Sequence, residues 1–141
     1  MSILELKSVS YTYKTGYQSV EAVRNVSLSF ETGRVYAIMG ASGSGKTTLL
    51  SLMAGLDRPT EGEVFFDGTS TSKMVLERYR REKAAVIYQN FRLFPLLTVA
   101  ENVMYPMELR GIKPKEAKLR SHDLIERVGL PETALDRLYA R

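Results

Sequence analysis

The sequence GASGSGKT occupies residues 40–47 and fits the pattern G-x-x-x-x-G-K-[ST]. Glycines and other small residues let successive backbone N–H groups turn towards an anion, which bulky side chains would obstruct. The apolar run VYAIM at 35–39 precedes this loop, and the leucine-rich run LLSLM at 49–53 follows it. The order predicts a buried strand, a glycine-rich loop and a helix, and hence an α/β fold around a phosphate-binding loop, or P-loop.

The position of each loop residue predicts its role towards a nucleotide. The helix begins beneath the phosphates, so its free N–H groups and the positive end of its dipole face negative charge. We expect Lys46 to reach the β- and γ-phosphates, Thr47 to offer its hydroxyl to Mg²⁺, and Thr48 to add a donor for the α-phosphate. The predicted ligands are therefore ATP, or a similar nucleotide, and Mg²⁺. The loop residues predicted to bind them are Gly40, Ser42, Gly43, Ser44, Gly45, Lys46, Thr47 and Thr48.

Apolar patterns on either side of the loop predict the sheets. Residues 3–13 are rich in apolar residues and tyrosine, and apolar residues alternate over 26–30, which predicts an antiparallel pair with a long connection. The run AAVIY at 84–88 is nearly all apolar, like 35–39, as fits strands covered on both faces of a parallel sheet. Without neighbouring strands, we expect such segments to favour self-association, exchange of an element with a second copy, or membership of a longer polypeptide.

Capping and turn signals predict where several elements begin and end. Thr98 followed by Glu101 is a capping box, so a helix should start there. Pro114 suits the first position of a later helix, and Gly129 suits its C-terminal stop. The Asp-Gly pair at 67–68 is a strong turn pair after a predicted strand.

Length and composition indicate one ordinary soluble domain. The chain has 141 residues, of which 44% are hydrophobic and 26% charged. No apolar stretch approaches the ~20 residues of a membrane helix, no signal-peptide core is present, and cysteine is absent, so we expect a cytoplasmic location. The net charge of +4 arises from Lys and Arg interleaved with acidic residues, which indicates a solvated surface. We expect no nucleic-acid partner.

Several segments beyond the P-loop resemble the nucleotide-binding subunits of ABC transporters. Gln89 ends AAVIYQ and is followed by NFRLFPLLTVAENV, which is similar to the family's Q-loop and the start of its helical subdomain. The segment ELKSVSYTY resembles the family segment that ends in the adenine-stacking aromatic. The segment GLDRPTEGEVFFDG resembles the turn and strand after the P-loop helix, and HDLIERVGL resembles the helix before the signature motif. The resemblance extends from about Leu4 to Leu130. Three segments look most like exporters of the lipoprotein-releasing, macrolide and antimicrobial-peptide branch: VRNVSLSF, MGASGSGKTTLLSLMAGLDRPTEG and ENVMYPMELRGI.

The resemblance implies roles for two residues outside the P-loop. It places Tyr13 on the adenine ring; the alternative is a sheet-surface aromatic, because strands favour tyrosine and Tyr11 shares the same face. It places Gln89 at Mg²⁺ and the attacking water, and the alternative is a polar strand terminus. The predicted catalytic residues are therefore Lys46 and Gln89. The predicted metal ligands are Thr47 and Gln89.

The resemblance also implies partners at the cytoplasmic face of the cell membrane. These are a second ATP-binding subunit and a transmembrane permease that docks near Gln89 to Val103. An apolar cluster lies in that stretch, and its residues serve as core, as an exposed dock for the membrane domain, or as both, with different residues in each role. The cluster comprises Phe91, Leu93, Phe94, Leu96 and Leu97.

Other motifs of the family do not occur in the 141 residues: the signature LSGGQ, the Walker B strand ending in Asp-Glu, the D-loop and the switch histidine. The stretch 63–67 imitates a Walker B end, but Gly68 stands where a catalytic Glu should be. The chain thus resembles the N-terminal part of a single ABC ATP-binding domain over 1–141. The resemblance implies a β subdomain and P-loop core over about 1–90, with an incomplete parallel core sheet, and the start of the helical subdomain over about 91–141.

The function implied is an energy-coupling ATPase subunit of a membrane transporter. We expect the P-loop and the other motifs present to bind ATP, and the 141 residues alone to lack turnover because half of the catalytic apparatus is missing. Two alternatives stay open. One is a non-hydrolysing nucleotide-binding fragment, and the other is a soluble ABC-type ATPase of translation or DNA repair.

Overall fold

A computed structural model describes residues 2–138 as two compact units, which divide between Ala85 and Val86. The second unit contains α3 (Val99–Leu109) and α4 (Pro114–Arg127). The predicted subdomain division near residue 90 stays a prediction. The elements of the first unit are β1 (Ser2–Lys14), β2 (Ser19–Glu31), α1 (Lys46–Met53), β3 (Glu61–Phe66), β4 (Thr69–Ser70) and α2 (Leu76–Glu82).

The sheet of the first unit has the strand order β2-β1-β3-β4, and all of its pairs are antiparallel. The predicted antiparallel pair is confirmed as β1 and β2, but the predicted long connection is wrong. Only residues 15–18 join the two strands, and the Thr15 N–H donates to the Gln18 carbonyl at 2.8 Å. Polar residues at the strand ends continue the pairing because ladder hydrogen bonds use the backbone and do not require apolar side chains.

Helix α1 packs its apolar side on this sheet. Burying a side chain of leucine size stabilises a fold by about 1.5–3 kcal/mol, so this contact fixes the helix that follows the P-loop. The buried cluster consists of Leu6, Val9, Val23, Leu49, Leu52, Met53 and Val64.

The C-terminal end of α1 is bound by two side chains of α2. The Tyr79 hydroxyl donates to the Met53 carbonyl at 2.8 Å, and the Arg80 guanidinium donates to the Gly55 carbonyl at 2.5 Å. Burial raises the pKa of Tyr79, so this hydroxyl stays a donor. These bonds satisfy carbonyls at the negative end of the helix dipole, and the cation of Arg80 has the favourable sign there.

The local capping and turn signals are confirmed. Thr98 and Glu101 form the reciprocal bonds of a capping box at α3, and Pro114 is the first residue of α4. The Thr98 N–H donates to the Glu101 carboxylate, which lowers the pKa of Glu101. Asp67 and Gly68, both with positive φ, connect β3 to β4 as a two-residue turn.

The predicted strands at 35–39 and 84–88 are wrong for the chain as it is folded here. Within residues 2–138 no strand pairs with either segment, and the sheet contains no parallel pair. Val35 and Ile87 are 100% and 96% exposed. A strand of a parallel sheet depends on neighbours at both edges, and an apolar sequence without them does not form a ladder.

The second unit is a pair of packed helices. Contacts between α3 and α4 bury Ala100 and Ile125, and Leu135 joins them from the segment after α4. An isolated bridge pairs Thr98 with Leu138. Among residues 2–138, no helix has the length and apolar character needed to cross a membrane.

The two exposed apolar segments generate a prediction. We expect the 141-residue chain at low micromolar concentration to self-associate and to bind a dye that reports exposed apolar surface. Replacing both Val35 and Ile87 with Lys should reduce dye binding and shift sedimentation towards the monomer. The control is Val128→Lys, which changes an exposed valine outside the two segments. A dye-free monomer of the unchanged chain would contradict the prediction.

Candidate functional site

A cavity of about 310 Å³ in the first unit brings the P-loop against the β1–β2 pair. It gathers seven of the predicted site residues. Gly40 and Ser42 belong to the same loop but do not line the cavity. The lining consists of Tyr13, Val20, Glu21, Ala22, Gly43, Ser44, Gly45, Lys46, Thr47 and Thr48.

The N-terminus of α1 at this cavity has amide donors without helical acceptors. The first helical bond runs from the Leu49 N–H to the Gly45 carbonyl at 2.8 Å, so the four preceding N–H groups lie outside the helical ladder. No side chain caps this end, and the first turn carries no acidic residue. The positive end of the dipole is therefore uncompensated within the helix, which suits an anionic group such as phosphate.

The ammonium group of Lys46 lies on the loop itself. It donates to the carbonyls of Gly40 at 3.0 Å and Ala41 at 2.7 Å, with the Ser44 hydroxyl at 3.4 Å. These bonds close the loop around the lysine and place its charge beside the helix N-terminus. The predicted phosphate-binding lysine is thus held by loop residues on the N-terminal side of α1.

Gly45 allows the loop to touch β2. Its φ is +85°, and a Cβ built on it would lie 2.0 Å from the Ala22 carbonyl oxygen. Only a residue without a side chain fits this approach. Sequence reasoning missed the contribution of β2, because a contact between backbones distant in sequence leaves no local pattern.

An acidic side chain at the cavity is paired with a cation. Glu21 accepts from Arg24 at 2.7 Å (Nε) and 2.6 Å (Nη2). The guanidinium offsets the negative charge that Glu21 would otherwise present to an anion in the cavity. The Arg24 side chain is largely exposed and that of Glu21 about one third exposed, so the pair balances charge locally and adds little to stability.

Tyr13 joins the cavity from β1. Its hydroxyl lies 3.1 Å from the Thr48 hydroxyl, and its side chain is half-exposed. Tyr11 packs edge-on against it, with ring centroids 4.8 Å apart. The structure brings Tyr13 to the P-loop helix; its stacking on adenine stays a prediction.

Gln89 belongs to the second unit, where it lies in an exposed turn. Phe91 and Arg92, the second and third residues after Gln89, have positive φ. The Arg92 guanidinium lies 4.5 Å from the centroid of the Tyr88 ring. Residues 2–138 hold no group of three or more His, Asp or Glu side chains arranged for a metal ion. The roles of Thr47 and Gln89 towards Mg²⁺ stay predictions.

The apolar cluster after Gln89 is largely exposed. Phe91 and Leu96 are 66% and 86% exposed, so the alternative of a buried core does not apply to them. The Asn102 side chain fixes the loop that carries them: it accepts from the Phe94 N–H at 2.8 Å and donates to the Phe94 carbonyl at 3.1 Å. It also donates to the carbonyls of Leu97 and Thr98.

The glycine-rich loop, the uncapped helix N-terminus and Lys46 together define a P-loop nucleotide-binding domain of the α/β class. The family model described as ABC transporter matches residues 23–141. The chain belongs to the ABC transporter family.

Curated relatives agree with this assignment. The chain is 38% identical over 132 residues to the uncharacterized ABC transporter ATP-binding protein YclH of Bacillus subtilis, covering 94% of this chain and 58% of the relative. It is 43% identical to the methionine import ATP-binding protein MetN 3 of Oceanobacillus iheyensis, covering 95% and 40%. The chain therefore spans less than two thirds of the length of these relatives.

Solved structures agree on the fold. The dimeric post-hydrolysis state of the ATP-binding cassette MJ0796, bound to ADP and Pi, superposes with a TM-score of 0.88 at 36% identity. The match covers 96% of this chain and 61% of that cassette. The predicted ABC-type fold class is confirmed, with the antiparallel sheet and the helices of the cassette.

The contact between Gly45 and β2 generates a second prediction. Gly45→Ala should lower the free energy of unfolding by roughly 2–5 kcal/mol, from left-handed strain and collision with the Ala22 carbonyl. Gly43→Ala is the matched control, because Gly43 also has positive φ but open space around its Cβ. That variant should lose only the strain, about 1–2 kcal/mol. Urea unfolding measures both, and equal losses would contradict the importance of the contact.

Proposed function

We propose that this chain is the ATP-binding part of an ABC transporter subunit, and that the subunit couples ATP hydrolysis to transport. The observation that carries the proposal is the uncapped N-terminus of α1, which shares one cavity with Lys46 and Tyr13. Support comes from relatives named as ATP-binding proteins and from the MJ0796 cassette, whose structure holds ADP and Pi.

Phosphate binding is the first step of the proposed function. The N–H groups at the start of α1 would donate to the phosphate oxygens, and the helix dipole adds attraction. Lys46 would exchange its bonds to the loop carbonyls for bonds to the β- and γ-phosphates, which are stronger because both partners are charged. The same donors would stabilise the charge that develops during phosphoryl transfer.

The residues of the loop fit an Mg²⁺ ion that accompanies the nucleotide. Mg²⁺ usually keeps several waters and is held by substrate phosphates with one or two protein oxygens, so the exposed Thr47 hydroxyl at the helix N-terminus is a sufficient ligand from this loop. When bound, the ion neutralises charge on the β- and γ-phosphates. We assign the side chain of Gln89 to orienting the attacking water.

The proposed assembly is a dimer of ATP-binding subunits attached to a permease at the cytoplasmic face of the membrane. The dimeric MJ0796 cassette supports the contact between two ATP-binding subunits. The exposed apolar side chains of Phe91 and Leu96, on the loop fixed by Asn102, suit the contact with the permease. The exporter branch stays a prediction, since relatives in the comparison include proteins named for methionine import.

The third prediction tests nucleotide binding. Lys46→Ala should weaken Mg-ATP binding by roughly 10- to 100-fold, the range expected for losing charged hydrogen bonds. Isothermal titration calorimetry on the 141-residue chain measures the affinity. Lys73→Ala is the control, because Lys73 is an exposed lysine of the same unit outside the cavity. If the unchanged chain bound no Mg-ATP, or if both variants bound equally well, the proposal would be lost.

The fourth prediction concerns hydrolysis. We propose that the 141-residue chain binds ATP without turning it over, because its sequence contains no Asp-Glu Walker B pair, signature motif or switch histidine. Phosphate release by the pure chain should equal that of Lys46→Ala. Steady release that disappears in the variant would contradict the proposal and require a general base among the 141 residues.

A further inference from the structure

Two tyrosines on β1 connect the sheet to both ends of α1. Tyr11 and Tyr13 are two residues apart, so they lie on one face of the strand, and their rings pack edge to face at 4.8 Å and 78°. The Tyr13 hydroxyl bonds to Thr48 in the first turn of α1. The Tyr11 hydroxyl donates to Asp57, four residues after the last residue of α1.

The contact of Tyr11 with Asp57 ties one tyrosine of the pair to the segment after α1. Asp57 also accepts from the Arg58 N–H at 3.0 Å, which fixes its carboxylate. The hydrogen bond that Tyr11 donates to the Asp57 carboxylate raises the pKa of Tyr11 to about 12, so the hydroxyl remains protonated at neutral pH. The Tyr11 ring, against which Tyr13 packs, is therefore held in place by the hydrogen bond at its hydroxyl.

Thr48 can serve Tyr13 and a phosphate at once. Its side chain is buried, and its hydroxyl has one proton to donate and two lone pairs to accept with. If the Tyr13 O–H donates to Thr48, the Thr48 proton remains for a phosphate oxygen. The Thr48 side chain at the helix N-terminus would then bond to both the Tyr13 hydroxyl and the phosphates.

We propose that the Tyr13 hydroxyl is a positioning group for nucleotide recognition. Through Thr48 it holds the half-exposed Tyr13 ring at a fixed place relative to the P-loop helix, so that the base meets an aromatic surface that is already ordered. The ordered ring should increase the binding affinity for a ligand that has both a base and phosphates, but not for phosphates alone. The inference rests on the proposed nucleotide binding and adds the link between the two parts of the site.

The test compares Mg-ATP with Mg-tripolyphosphate on the 141-residue chain. Tyr13→Phe keeps the ring and its contact with Tyr11 but removes the hydroxyl. It should weaken Mg-ATP binding by roughly three- to tenfold, the cost of ordering one side chain on binding. Binding of Mg-tripolyphosphate should change less than about twofold. Tyr17→Phe, at a fully exposed tyrosine in the β1–β2 turn, is the control and should change neither.

A second variant separates the hydrogen bond from other effects of the substitution. In a Thr48→Val background the acceptor is gone, so adding Tyr13→Phe should cause no further loss of Mg-ATP affinity. In a Thr48→Ser background the hydroxyl remains, and the loss caused by Tyr13→Phe should return. Thermal unfolding of every variant shows whether it is folded, and the two Thr48 backgrounds provide the comparison if Tyr13→Phe alone is unstable.

The outcomes distinguish the two proposals. If the unchanged chain binds no Mg-ATP, nucleotide binding itself is refuted. If it binds Mg-ATP but Tyr13→Phe binds equally well or more tightly, only the positioning role is overturned. The positioning role is also overturned if both ligands weaken equally, or if the loss caused by Tyr13→Phe is the same in the Thr48→Val background.

Discussion

Amide groups at the start of α1 have no acceptor within the helix, and their position depends on how α1 is packed and bonded in the first unit. Leu49 and Leu52 anchor the helix on the sheet, while Tyr79 bonds to its far end. The helix is therefore fixed by burial along its side and by hydrogen bonds at its C-terminus. At its N-terminus, by contrast, no side chain caps the backbone N–H groups, and they can donate to a ligand.

The β1–β2 pair places that end as much as the P-loop does. Backbone contact requires glycine at position 45, because the Ala22 carbonyl occupies the space of a side chain. On the same side, Arg24 pairs with Glu21 and so removes a charge that would repel phosphate. The antiparallel sheet thus contributes shape and charge to a site whose sequence signature lies entirely in the loop.

The sequence was informative wherever a structure depends on neighbours along the chain. The Thr98 capping box, the turn at 67–68 and the proline at the start of α4 use bonds or dihedral angles within a few residues, and each was predicted correctly. The strands at 35–39 and 84–88 depend on partners distant in the chain, so an apolar composition alone did not determine their state. The Tyr13–Thr48 contact joins residues 35 positions apart and could not be predicted from either local pattern.

The P-loop is anchored unequally at its two ends. On one side it enters a helix packed on the sheet, and on the other it follows 35–39, whose backbone forms no ladder within residues 2–138. The free energy of local opening should differ in the same way. Amide protons at 35–39 should exchange quickly with solvent, whereas those of Leu52 and Met53 should exchange only with a free energy close to that of unfolding the whole unit. The phosphate-binding loop thus lies between a packed helix and a backbone segment without ladder bonds. A ligand that bonds to the loop should extend protection from the helix towards that segment.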